Sequence, residues 1–249
     1  KRFAAVSDEI AKQDNKLIVH ATTLGQAKFA LKNDAKLLVH SVQDTLVDQE
    51  FIDLLLKNKT LYNPTLIVGM GYYNTYNALL GNGFEINDPN AVVDKKTKNM
   101  LENAELFQKF LSTEMMERLT SRLPERAVAL AVQLKRMQTN LKKVYDAGGT
   151  IVVGTDAGNP GTLHGISFYD EIEAMQDAGI PAQDLIIMAT KNGAMAMERL
   201  DDFGTLEPGK IADLIILDKD PGQDISNLRT VTKVMRMGEF HEVDTAFKP

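Results

Sequence analysis

Asp156 is the first candidate for a residue that does chemistry. It lies in the segment GTDAGNPGTLHG, residues 154–165, directly after the apolar, β-branched run TIVV. That run predicts a short buried strand, so the carboxylate falls where a strand gives way to a glycine-rich loop. A carboxylate there either caps a turn of its own backbone or works at the mouth of a sheet. The choice depends on which other side chains reach the same mouth.

Two histidines close strand-like apolar runs that are one strand–helix unit apart. His20 follows LIV, and His40 follows LLV. Each alone is more typical of a core or rim histidine that is satisfied by a hydrogen bond. Consecutive parallel strands, however, bring their C-terminal ends together, so both imidazoles can reach one cleft with Asp156. Two neutral imidazoles and one carboxylate suit Zn²⁺ and similar divalent ions, with three unrelated polar strand ends as the alternative.

The elements that must position these residues alternate along the chain. Short apolar runs predict strands, and amphipathic runs predict helices between them. The predicted strands are 16–21, 35–41, 60–68 and 150–156, and the predicted helices are 2–15, 22–34, 47–59, 94–119 and 124–147, the last with Pro124 at its first position. Two further helices follow, within 167–179 and 181–200. This order calls for a parallel sheet with helical crossovers.

The stretch between the third and fourth predicted strands is longer than one crossover helix requires. Residues of about 69–123 are therefore interpreted as a helical insertion at the C-terminal end of the third strand, the functional side of parallel α/β folds. The insertion is either a lid or pocket wall, or a peripheral decoration. Its Tyr72, Tyr73 and Tyr76 either line the pocket and contact substrate or pack the insertion onto the sheet.

From Gly204 the chain changes to short strand-like segments between Pro- and Gly-rich turns. ADLIIL predicts one strand, and VTKVMRMGEFHEV predicts a hairpin around Gly238. The chain is therefore predicted to divide into residues 1–203 and a small β subdomain of residues 204–249.

Composition excludes several classes of protein and site. A net charge of −6 without a basic block argues against a nucleic-acid partner, and no apolar run approaches the length of a membrane span. The 249 residues contain no cysteine, so a metal would need His, Asp, Glu or a modified Lys. Absence of cysteine suits an exported protein and is also common in the cytosol, which leaves the compartment open with a lean towards the periplasm or secretion.

The motifs VHA, VHS, PTL and GTDAG, followed by GTLEPGKIADLIILD, resemble the second half of a metal-dependent amidohydrolase. The resemblance is to the imidazolonepropionase-like and Xaa-Pro dipeptidase-like branch, and it covers nearly the whole chain. It implies an α/β fold, namely the second half of a distorted (β/α)₈ TIM-like barrel together with part of a small β-sandwich.

The resemblance also implies roles for single residues. His20 and His40 match the metal-binding histidines of strands five and six, and Asp156 matches the strand-eight aspartate that touches the metal and shuttles a proton. One or two divalent ions, with Zn²⁺ favoured, would activate a water molecule. His164, in the loop above the same mouth, is a candidate substrate contact or an ordinary loop histidine.

The family's paired first-strand histidines, an H-x-H motif, and its fourth-strand lysine have no match in this sequence. We therefore expect an N-terminal half of the barrel, outside these residues, to complete the site. The expected function is hydrolysis of a C–N bond in a small-molecule or peptide-like substrate, in a protein that is a candidate homo-oligomer. The alternative is a non-catalytic fragment or a degenerate, metal-free binding or scaffold protein, although the presence of His20, His40 and Asp156 favours the enzyme.

Overall fold

A computed structural model of the chain describes residues 2–243, apart from the side chains at positions 2, 4, 106, 107, 110 and 242. The fold is mixed α/β. Its elements are α1 (Arg2–Lys12), β1 (Ile18–His20), α2 (Leu24–Lys32), β2 (Leu37–Val39), α3 (Gln49–Asn58), β3 (Leu61–Asn63), α4 (Val68–Leu79), α5 (Lys95–Glu102), α6 (Thr113–Asp146), α7 (Ser167–Asp177), α8 (Ala182–Ala189), α9 (Lys191–Ala196), β4 (Leu214–Leu217), β5 (Val231–Arg236) and β6 (Glu239–Glu242). Short 3₁₀ helices span Ala104–Phe110 and Ile225–Arg229.

The first three strands form a parallel sheet in the order β1-β2-β3, as the alternation of strands and helices predicts. Helices α2 and α3 cross over between them and pack against each other. Each begins at a residue suited to the start of a helix, because Thr23 Oγ1 and Asp48 Oδ1 accept from backbone amides in the first turns. β3 ends just before Pro64, a residue that has no N–H to donate to a neighbouring strand.

The fourth predicted strand, 150–156, is wrong as an extended element. Ile151 forms only an isolated parallel bridge to Tyr62, through Tyr62 N–H donating to Thr150 O and Val152 N–H donating to Tyr62 O. Pairing stops beyond Val152 because the next ladder bond would need an N–H from residue 64, which is proline. A Cβ at Gly154 would lie 2.5 Å from Asn63 Nδ2, so the glycine allows the two segments to approach closely.

The long helix also differs from its prediction. The segment predicted as one helix over 94–119 is split into α5, a 3₁₀ helix and the start of α6, and α6 runs through Pro124 instead of beginning there. Ser112 sets the beginning, since its hydroxyl accepts from Met115 N–H. Pro124 removes only one hydrogen bond from a helix of 34 residues, whose apolar stripe packs on the sheet through Met137, Leu141 and Val144.

The C-terminal segment forms an antiparallel sheet in the order β4-β5-β6, with the predicted hairpin turning at Gly238. Lys1 and residues 244–249, which complete the two predicted divisions of the chain, lie outside the described residues. Between residues 2 and 243, no helix is both long and apolar enough to cross a membrane.

Candidate metal centre

The two predicted histidines meet at the C-terminal edge of the parallel sheet. His20 is the last residue of β1, and its Cα pairs with that of Val39, so His40 follows directly beside it. The two rings lie 4.4 Å apart between centroids, at an interplanar angle of 74°. Parallel pairing in register therefore brings together two imidazoles that are 20 positions apart in the chain.

His40 is buried and tightly held. Its backbone N–H donates to Asn63 O, and its Nδ1 lies 2.5 Å from Thr65 Oγ1. With Nδ1–H donating to that hydroxyl, the Nε2 lone pair faces the opposite direction, towards the cleft. Hydrogen bonding of the second ring nitrogen is the usual way in which proteins fix the orientation of a metal-binding histidine.

Asp156 faces Nε2 of His40. Its Oδ2 lies 3.7 Å from His40 Nε2, and Asn159 Nδ2 donates to both Asp156 Oδ2 and Asp156 O at 2.9 Å. Tyr72 extends the network, since its hydroxyl donates to Asn159 Oδ1 at 2.9 Å. The carboxylate thus has a fixed orientation, while its side chain is 42% exposed and open to the cleft.

Electrostatics favour a neutral His40. Burial lowers its pKa below the ordinary value of 6.5, and the neighbouring His20 lowers it further, while Asp156 acts in the opposite direction. A neutral imidazole is the form that binds metal ions. In the tautomer with the proton on Nδ1, the Nε2 lone pair faces Asp156 Oδ2 across 3.7 Å, longer than a hydrogen bond, an arrangement that a shared cation would stabilise.

The donor set therefore fits part of a site for a divalent ion. Two imidazoles and a carboxylate are ligands that Zn²⁺ accepts. Among residues 2–243, no group of three His, Asp or Glu side chains is close enough to hold an ion as it stands. His20 lies beside His40, and His40 lies beside Asp156. That all three bind one ion remains a prediction.

A cleft of about 300 Å³ opens over these side chains. Tyr72 lines it, together with residues of α4 and α6. Tyr73 and Tyr76 line a neighbouring hollow of about 330 Å³ with Arg126, and Tyr72 belongs to both spaces. His164 is exposed and lines a third space of about 490 Å³, which Asn159 connects to the cleft. The predicted substrate contacts are thus distributed over three adjoining spaces.

Sequence reasoning missed two residues of the site and one residue behind it. Thr65 lies in the PTL motif and Asn159 in GTDAGN, yet both motifs drew attention only to their neighbours. The third, Glu171, accepts backbone N–H groups of the segment that follows Thr65. Its only signal in the sequence is an acidic residue four positions before Met175, on the buried face of α7.

Comparison with known proteins identifies the family to which this chain belongs. The model of the amidohydrolase family matches residues 3–240, so the chain belongs to that family. Over 112 residues the chain is 34% identical to an imidazolonepropionase of Cutibacterium acnes, covering 43% of this chain and 28% of that protein. A second imidazolonepropionase, from Streptomyces avermitilis, is 37% identical over 84 residues, which are 32% of this chain and 19% of that protein.

Among solved structures, a Xaa-Pro dipeptidase with methionine bound in its active site superposes with a TM-score of 0.65 at 25% sequence identity. The superposition covers 96% of this chain and 48% of the dipeptidase. The chain therefore spans about half the length of that enzyme, and its aligned segment spans less than a third of each imidazolonepropionase named above.

Proposed function

We propose that this chain is the half of a metal-dependent hydrolase that carries His20, His40 and Asp156, and that the complete enzyme cleaves a C–N bond. The observation that carries the proposal is that His20 and His40 meet at the ends of consecutive strands, with His40 Nδ1 beside Thr65 Oγ1 and His40 Nε2 3.7 Å from Asp156 Oδ2. Membership of the amidohydrolase family supports the reaction class.

The proposed architecture is the second half of a distorted (β/α)₈ barrel, with residues 204–249 contributing to a small β-sandwich and residues of about 69–123 forming an insertion over the cleft. The parallel β1-β2-β3 sheet with helical crossovers supports this assignment. β1 lies at the edge of that sheet, and its Ile18 is 60% exposed, whereas parallel strands are normally covered on both sides. An N-terminal half-barrel is the proposed partner that covers this edge and completes the ligand set.

In the proposed reaction, His20, His40 and Asp156 hold a divalent ion, with Zn²⁺ as the favoured identity. Such an ion supplies a hydroxide near neutral pH and polarises a carbonyl group. Asp156 accepts the proton of the attacking water and returns it to the leaving nitrogen. Asn159 keeps the carboxylate oriented for both transfers through its two hydrogen bonds.

The proposed substrate is a small molecule or peptide-like amide, linear or cyclic. A cleft of about 300 Å³ is at the lower end of the size range of small-molecule sites. Tyr72 borders the reacting carboxylate through Asn159, and Tyr73 and His164 border the adjoining spaces, so these three side chains are the proposed substrate contacts.

The test is Asp156→Asn in the complete enzyme, screened with dipeptides, N-acyl amino acids and imidazolone rings. We expect kcat to fall roughly 10²–10⁴-fold, the range for loss of general acid–base catalysis, with the fold intact. Asp14→Asn is the matched control, because Asp14 also has a positive φ (54°, against 55° for Asp156) but is exposed and outside the cleft.

Metal analysis of the same protein separates the two functional readings. One or two divalent ions per barrel, lost together with activity on chelation, support the hydrolase. If the protein binds no metal and hydrolyses none of these substrates, the result would support a metal-free binding or scaffold protein instead.

A further inference from the structure

Glu171 is a fully buried carboxylate that lies outside the ligand set. It projects from α7 with no exposed surface. Both of its oxygens are used, because Leu66 N–H donates to Oε1 at 2.8 Å and Ile67 N–H donates to Oε2 at 3.1 Å. The two amides belong to the segment between β3 and α4, 105 and 104 positions away in the chain.

These two hydrogen bonds hold the segment that leads into α4. α4 begins at Val68, and Ile67, its N-cap residue, makes no side-chain capping hydrogen bond. The first amides of a helix need acceptors, and a negative charge near a helix N-terminus is favourable. Glu171 supplies an acceptor for the N–H of the N-cap residue Ile67 and for that of Leu66 before it, which ties the start of α4 to α7.

The segment held by Glu171, residues 66–67, begins directly after Thr65. This residue has φ of 44°, a left-handed conformation that a β-branched residue normally avoids. Such a conformation persists only where the surroundings impose it. Glu171 holds the amide directly after Thr65, and Thr65 Oγ1 in turn lies 2.5 Å from His40 Nδ1.

We propose that Glu171 is a positioning residue that keeps His40 in its ligand orientation, acting through residues 66–67 and the Thr65 hydroxyl. The proposal rests on the proposed function, because the orientation matters only if His40 binds the metal. The path from Glu171 to His40 consists of the hydrogen bonds to residues 66–67, the peptide bond between Leu66 and Thr65, and the contact of Thr65 Oγ1 with His40 Nδ1.

Burial of the Glu171 carboxyl group costs free energy, because the group loses its contact with water. Desolvation raises its pKa to about 7, although the two N–H donors oppose the shift. Ile67 does not cap α4 itself, because its side chain is apolar and its backbone angles are helical (φ −87°, ψ −10°). Local rules are most often broken in this way at functional sites, which supports a role beyond folding.

The test compares Glu171→Gln with the matched variant Glu173→Gln in the complete enzyme. Glu173 lies two residues along α7 and binds Arg229, not the 66–67 segment. The first readout is the ¹H–¹⁵N NMR spectrum of the histidine rings without metal, with the His40 signals assigned from their loss in His40→Gln. The second readout is Zn²⁺ affinity, measured by competition with a chromophoric chelator.

We expect Glu171→Gln to shift the His40 ring signals and to weaken Zn²⁺ binding about 10-fold, the lower end for outer-shell changes, while Glu173→Gln does neither. The effect on the His40 signals should disappear when Thr65→Val is already present, because the path is then broken. Unchanged His40 signals in folded Glu171→Gln, or an equal effect with and without Thr65→Val, would overturn the proposal.

Two measures keep the test decisive. If Glu171→Gln does not fold, Glu171→Asp retains the charge and withdraws the carboxyl group by one methylene, and the same readouts decide the proposal. If the wild-type enzyme binds neither Zn²⁺ nor another divalent ion, the proposed function fails. The metal-free spectrum still shows whether Glu171 orients His40, so the two failures are distinguishable.

Discussion

Three residues of the candidate metal centre share an uncommon backbone conformation. His40, Thr65 and Asp156 have φ values of 75°, 44° and 55°. Non-glycine residues in this region carry local strain, which persists where the surrounding structure imposes it. In each case a hydrogen bond supports the conformation: Asn63 O accepts from His40, Glu171 accepts from the residue after Thr65, and Asn159 donates to Asp156. Backbone strain at these three positions therefore accompanies a fixed orientation of the side chains at the candidate site.

Thr65→Val tests the hydroxyl that holds His40. The variant removes the partner of His40 Nδ1 and leaves the ring free to choose another orientation or tautomer. If His40 binds the proposed ion, we expect Zn²⁺ affinity to fall roughly 10–100-fold, the range for loss of a hydrogen-bond partner of a metal-binding histidine, measured by chelator competition.

Thr60→Val is the matched control. Thr60 is equally buried, at 1% exposure, and its hydroxyl donates to Ala35 O away from the cleft. Its loss should cost about 1–3 kcal/mol of stability in urea unfolding and leave metal affinity unchanged. Equal loss of affinity in both variants would mean that the Thr65 effect is only a stability effect.

At the scale of elements, α4 is seated directly against the loop that carries Asp156. A Cβ at Gly71 would lie 2.7 Å from Thr162 Oγ1 and 2.9 Å from Pro160 O. A Cβ at Gly161, whose φ is +71°, would overlap the carbonyl of Gly71. Two glycines thus allow backbone to approach backbone, and this contact brings Tyr72 within reach of Asn159.

Gly71→Ala should separate α4 from the loop. We expect a loss of about 1–3 kcal/mol in urea unfolding, typical of overpacking, together with lower kcat because Asn159 and Asp156 move. Gly25→Ala in α2 is the control, since a Cβ there meets nothing within 4 Å. That variant should gain roughly 0.5–1 kcal/mol, because alanine favours helix, with kcat unchanged. Normal stability and kcat in Gly71→Ala would show that the loop tolerates the added methyl group.

Glu171 also makes stability depend on pH. Its pKa is raised from 4.5 to about 7 in the folded protein, so between these values the folded state holds a proton that the unfolded state has lost. This contribution is complete below pH 4.5 and is lost as the pH rises to about 7, at no more than about 1.4 kcal/mol per pH unit.

Urea unfolding of the wild type and Glu171→Gln from pH 4.5 to 8 measures this contribution. Relative to the variant, the wild type should lose stability as the pH rises through this window. Glu173→Gln should retain the wild-type slope, since Glu173 lies on another face of α7 against Arg229. Parallel curves for the wild type and Glu171→Gln would show that Glu171 titrates alike in both states.

At the scale of the whole molecule, Arg229 ties the C-terminal segment to the helix behind the site. Its side chain is 7% exposed, pairs with Asp170 and Glu173 of α7, and donates to Asn87 O. It also stacks on Tyr169, with the guanidinium carbon 5.0 Å from the ring centroid. The same helix therefore contacts the tail through Arg229 and the 66–67 segment through Glu171.

Arg229→Met should destabilise the protein by an amount near the lower end of about 3–5 kcal/mol, because Asp170 and Glu173 lose their partner but remain partly exposed. Urea unfolding measures the change. Arg199→Met is the control, since the Arg199–Asp202 pair is half exposed and worth at most about 1 kcal/mol. Equal losses in the two variants would contradict a special role for Arg229.

Much of the arrangement follows from the sequence alone. The alternation of apolar runs and amphipathic helices predicts the parallel sheet, and polar residues at the ends of those runs single out His20, His40 and Asp156. These features are local, because strand burial, helix periodicity and parallel crossovers each leave a pattern within about 20 residues. The C-terminal hairpin is predictable for the same reason, since Gly238 marks its turn.

Only the tertiary structure decided the rest. The segment that leads into α4 is held by Glu171, about a hundred positions away, and the fourth predicted strand is reduced to a single bridge to Tyr62. The orientation of His40 depends on Thr65 in a left-handed conformation that its residue type disfavours. Each of these features results from contacts between segments that are distant in the chain. At several of these positions the residue type favours a different local conformation. The observed conformation therefore forms only when folding brings the distant partners together.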